Sequence, residues 1–79
     1  HINALANRGT AYFNTNQIDK AITDLNQAIA LKPNESLALY VRGLCHFELG
    51  DQVSGCIDLQ ASYRLGFQAA GPALDQYCR

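Results

Sequence analysis

The chain repeats itself. Displaced by 34 residues, the sequence lays Ala4 on Ala38, Leu5 on Leu39, Arg8 on Arg42 and Gly9 on Gly43. Further along, Phe13 falls on Phe47, Asp24 on Asp58, Leu25 on Leu59 and Leu31 on Leu65. These eight identities run without a gap, and the pairs Tyr12/His46, Ala21/Gly55, Ile22/Cys56 and Ala28/Ser62 extend them. A period of this size marks a stacked array of small units, each unable to bury its apolar face alone. Few other folds are open to such a chain.

Each unit reads as two helices. In the first, Leu5, Ala6, Gly9, Tyr12 and Phe13 recur at helical steps and form one apolar stripe. Asn14-Thr15-Asn16 interrupts it, and Ile18, Ala21, Ile22, Leu25, Ala28 and Ile29 form a second stripe. Lys32-Pro33-Asn34 stops that helix, because proline lacks a donor and drives its predecessor out of helical geometry. The second unit repeats the pattern, with a break at Gly50-Asp51 and a second helix from about Gln52 to Leu65. Gly50 suits a left-handed residue after a helix, Asn16 is its tolerant equivalent, and Asp51 suits an N-cap. Gly66-Phe67 closes the unit, and Pro72 to Cys78 is expected to add one short helix. Nothing alternates with a period of two for long enough to make a strand. Gly9 and Gly43 sit inside helices, where glycine costs about 1 kcal/mol against alanine. The spacing therefore predicts a close helix crossing, with Ala21 and Gly55 as the small partners.

These residues resemble the tetratricopeptide repeat family. Leu5, Gly9 and Tyr12, then Ala21, Leu25, Ala28 and Pro33, follow the family pattern in the first unit. The second unit keeps Leu39, Gly43 and Leu59 but has His46, Gly55, Ser62 and Phe67 where the pattern expects an aromatic, two alanines and a proline. The resemblance implies an all-α, right-handed stack of antiparallel helix pairs in one domain spanning 1–79. Repeat one would cover about 2–35, repeat two about 36–68, and a capping segment 69–79 would shield the last apolar edge. It further implies a concave groove lined by the first helix of each unit, where a peptide or helix of a partner protein lies. On that face unit one would present Asn3, Asn7, Thr10, Phe13 and Asn14. Unit two would present Leu37, Tyr40, Val41, Leu44, Phe47 and Glu48, with Tyr40 the expected hot spot. Some members grip acidic chaperone tails through lysine, asparagine and arginine; here Ala6, Thr10, Leu37 and Val41 stand in those places, and the clamp is absent.

Composition narrows the function. With 48% hydrophobic and 16% charged residues the chain is globular rather than disordered. Six basic against seven acidic residues leave no excess to neutralise phosphates, so nucleic acid is not an expected partner. No apolar run approaches the roughly 20 residues of a membrane span. The odd count of cysteines, Cys45, Cys56 and Cys78, without paired spacing, reads as reduced thiols in an intracellular, cytoplasmic protein, with Cys56 as a small core residue. His1 and Arg79 read as cuts in a longer chain, or His1 as a tag remnant.

An enzyme is not expected. The one internal histidine, His46, occupies a packing position, and it cannot readily share an ion with Cys45 because neighbouring helical side chains diverge by roughly 100°. No metal or cofactor is expected. Arg8 and Arg42 are read as partners of Asp24 and Asp58 rather than as ligand anchors. Two functions remain: a peptide-binding adaptor, or a structural module that stacks on further repeats or on another copy of itself.

Overall fold

The computed structural model describes residues 1–78; Arg79, the last residue of the expected capping segment, lies outside the described residues. Five helices follow one another: α1 (Ile2–Asn14), α2 (Ile18–Leu31), α3 (Ser36–Glu48), α4 (Gln52–Arg64) and α5 (Ala70–Tyr77), with no strand among the described residues. The chain is an all-α helical repeat.

Local chemistry sets the boundaries. Asn16 and Gly50, at equivalent positions, both take left-handed backbone, with φ of 63° and 81°. Asp51 caps α4 by accepting a hydrogen bond from the Ser54 backbone N–H at 3.1 Å. The two second helices end differently. Lys32 leaves α2 in an extended conformation ahead of Pro33, whereas α4 ends through Gly66 at φ 95°, glycine doing there what proline does in unit one.

The helices pack in sequence order: α1 on α2, α3 on α4, α3 on α2, and α5 on α4. The crossings within units are close, as the glycines predict. A Cβ on Gly43 would stand 3.0 Å from the Gly55 carbonyl oxygen, and one on Gly9 would stand 2.8 Å from the Leu25 side chain. Leu25 and Leu59, also equivalent, are fully buried at the centres of two apolar clusters. Each contributes about 1.5–3 kcal/mol by burial. The first cluster joins both units through Ala6, Ala21, Leu25, Ala28, Ala38, Val41 and Cys45. The second is smaller and joins Leu59 to Ala70 and Ala73 of α5.

Three findings correct the sequence reading. Val41, expected on the groove wall, is 3% exposed and belongs to the first cluster, because its place on α3 faces unit one. Cys56 and Cys78, expected as reduced thiols, form a disulfide, since folding α5 back on α4 brings their Cα atoms to 5.8 Å. Only Cys45 is a free thiol, and it is buried. Finally, the C-terminal helix begins at Ala70 rather than Pro72. Ile2, Ser36 and Ala70 thus start α1, α3 and α5 at two equal steps of 34 residues. The periodicity of the backbone outlasts that of the sequence.

Candidate functional site

The first helix of each unit, together with α5, encloses an open depression of about 520 Å³. From α3 it is lined by Tyr40, Leu44, Phe47 and Glu48, and from α1 by Phe13. The opposite wall is α5, through Pro72, Ala73, Gln76 and Tyr77. Four aromatic rings border it, and among the described residues Glu48 is its only charged lining residue.

Aromatic contacts hold the site together. The Phe47 ring stacks on Tyr77 with centroids 4.6 Å apart and an interplanar angle of 19°, and Tyr40 lies 5.0 Å from Phe67. Such offset pairs add about 0.5–1.5 kcal/mol beyond their burial. Phe47 reaches Tyr77 because Gly55 has no side chain: a Cβ there would stand 2.7 Å from the ring. Unit one carries Ala21 in that place. Gly55 therefore serves both the helix crossing and the position of Phe47.

Of the groove residues expected from sequence, the structure gathers Tyr40, Leu44 and Phe47 in this depression, with Phe13 and Glu48 beside them. The others do not line it. Asn3, Asn7 and Asn14 are exposed along α1. Thr10 is half-buried, and its hydroxyl donates to the Ala6 carbonyl oxygen at 2.8 Å. Leu37 packs against the first cluster. The wall supplied by α5 was not foreseen, although one further step of 34 residues from Ser36 lands on its first residue.

The charged residues at the helix crossings are bound internally. Arg8 Nε and Nη2 donate to the Asp24 carboxylate at 2.6 and 2.8 Å, and Arg42 Nε and Nη2 donate to Asp58 at 2.7 and 2.9 Å. These forks satisfy two buried carboxylates, as the sequence reading expects. The Arg8 hydrogen bonds hold the Asp24 carboxyl below the ordinary carboxylate range. Arg42 Nη1 also donates to Asn26 Oδ1 at 3.0 Å, which ties unit two to unit one. His46 is half-buried with Nε2 3.5 Å from Asp58 Oδ2. Burial pushes the Cys45 thiol up to about 11, the direction of an inert core thiol. Among the described residues no group of histidine, cysteine and acidic side chains is placed to hold a metal ion, and no helix is long and apolar enough to cross a membrane.

Comparison with known proteins agrees with this architecture. Residues 2–35 match the family model of the tetratricopeptide repeat. No curated protein and no solved structure matches the chain. Repeats of this family are non-catalytic protein–protein interaction modules. Residues 2–35 thus carry a tetratricopeptide repeat, within an all-helical stack whose first helices recur every 34 residues.

Proposed function

We propose that the depression between α1, α3 and α5 holds an apolar segment of a partner protein. In this reading residues 36–68 act as the second repeat and 69–79 as the cap. The observation that carries the proposal is the lining: Phe13, Tyr40, Leu44, Phe47 and Tyr77 surround an open space with one carboxylate, Glu48, at hand. Aromatic side chains offer large contact area at little entropic cost and dominate binding hot spots. An apolar anchor flanked by a basic residue suits such a surface, and an acidic segment does not.

The test is selection of binding peptides from a random library, followed by titration of a selected peptide against variants. Leu44→Gln and Tyr40→Ala should each weaken binding by more than about 1 kcal/mol. Because Tyr40 also packs on both clusters, its affinity is referred to the folded fraction, measured by circular dichroism. Unchanged affinity in both variants would remove the groove from consideration. Location bears on the same proposal. A disulfide persists in an oxidising compartment and is reduced in a cytoplasm, so in a cytoplasm α5 would lack its covalent tie.

A second reading, stacking on another copy, draws on the outer face of α4. Val53 and Ile57 are 72% and 61% exposed, where the equivalent positions of α2 carry the exposed polar residues Asp19 and Thr23. A scattering mass that rises with concentration in the absence of ligand would favour this reading.

A further inference from the structure

We propose that the Cys56–Cys78 disulfide is a two-electron switch that sets whether α5 stands as the third wall of the groove. The proposal rests on the groove reading above and concerns its regulation.

The bond joins α4 to the residue that follows α5. That helix has eight residues, well short of the roughly 12–15 at which an isolated helix becomes even marginal in water. Its docking on α4 must supply its stability. The buried side chains it contributes are Ala70 and Ala73, which are small and bury little apolar area, with Leu74 half-buried beside them. Its last turn is held by the Phe47–Tyr77 stack, by Gln52 Nε2 donating to the Tyr77 carbonyl oxygen at 2.8 Å, and by the disulfide. That same turn carries Gln76 and Tyr77, which line the groove. The covalent tie therefore acts on the turn of α5 whose residues Gln76 and Tyr77 are exposed and line the site.

The bond is also reachable. Cys56 and Cys78 are both half-buried and border a second open depression of about 390 Å³, flanked by Val53 and Ile57. This depression shares no lining residue with the groove. A reductant can thus attack without displacing a bound segment.

The reductant is a dithiol. Its thiolate attacks one sulfur of the pair, the Cys56–Cys78 bond breaks, and the departing sulfur takes the electron pair and then a proton. The second thiol of the reductant displaces the mixed disulfide. Two electrons and two protons have then passed to the protein, which holds two thiols, and the reductant leaves as a disulfide. Cys45 takes no part, being fully buried in the first cluster.

Amide hydrogen exchange of the whole protein, oxidised and then reduced with dithiothreitol, tests the switch. On reduction the amides of Leu74 to Cys78 should exchange about tenfold faster or more, those of α1 to α3 should keep their protection, and reoxidation should restore α5. Cys78→Ser should show the fast α5 without reductant, with Cys56→Ser as the second variant. Equal α5 exchange in both redox states, or an increase spread evenly over all five helices, would overturn the proposal. No ligand is needed, so this outcome is separate from the fate of the groove reading, which the Leu44 and Tyr40 titrations decide.

Discussion

At the scale of single residues, the smallest side chains are the least replaceable. Gly43 has the Gly55 carbonyl oxygen, the Asp58 Cβ and a Leu59 methyl all within 3.3 Å of where its own Cβ would stand. The nearest of these is backbone and cannot rotate away. Gly43→Leu gains about 1 kcal/mol of helix propensity but forces α3 from α4. Overpacking of this kind costs about 3 kcal/mol, so a net loss near 2 kcal/mol is expected in urea titrations. An unchanged midpoint would contradict the crossing. At Gly55 the obstacles are the Phe47 ring at 2.7 Å, a side chain that can swing, and the Gly43 carbonyl oxygen at 2.9 Å, which is backbone and cannot. Gly55→Ala should therefore both strain the α3–α4 crossing and disturb the Phe47–Tyr77 stack, visible as a lower urea midpoint together with altered ring shifts of Tyr77 by NMR.

At the scale of elements, each helix pair is fastened by one arginine–aspartate fork, but the two forks differ in worth. The Arg8 side chain is 60% exposed and that of Arg42 24%, while both carboxylates are buried. Water screens the first pair more than the second. The Arg42 guanidinium also reaches Asn26 across the unit boundary. Asp58→Asn should accordingly cost about 2 kcal/mol, and Asp24→Asn distinctly less. Equal effects in denaturant titrations would show that exposure of the arginine does not matter. Acid has a defined sign here. The folded-state pKa of Asp24 is depressed, chiefly by the hydrogen bonds from Arg8. Its contribution to stability is therefore complete above the unfolded value of about 4 and is lost as pH falls below it through the folded value. Asp24→Asn should flatten the acid limb of the stability profile in that window and leave neutral pH dependence alone.

At the scale of the whole molecule, charge is placed away from the groove. The cations Arg8 and Arg42 are engaged by aspartates, and among the described residues the depression itself carries Glu48 alone. An acidic chaperone-type tail would meet a carboxylate and aromatic faces, with no guanidinium or ammonium among the described lining residues to pair its own carboxylates. Binding of such a peptide should be weaker than about 100 μM and insensitive to salt. Micromolar binding that weakens steeply between low and high ionic strength would refute this. Glu48→Lys should improve the affinity for that peptide, measured by the same titration, since it reverses the one charge on the lining.

The sequence by itself determined the units, their helices and their seams. Periodicity, Pro33, Gly50 and Asp51 act within a few residues of themselves, and the equivalence of Arg8–Asp24 with Arg42–Asp58 needs only the 34-residue step. Such local and repeated rules survive without knowledge of the surroundings. What the tertiary structure alone decided lies where equivalent residues meet different neighbours. Asn7 and Val41 hold the same place in their units, yet Asn7 is exposed and Val41 buried, because α3 packs that side against unit one. Phe13 and Phe47 are likewise equivalent, and only Phe47 has a glycine opposite and a tyrosine to stack on. Cys56 replaces an isoleucine of the repeat and reads as core until α5 folds back and brings Cys78 to it. A side chain's fate is set by what is packed against it, and where equivalent helices meet different neighbours the repeat pattern no longer says what that will be.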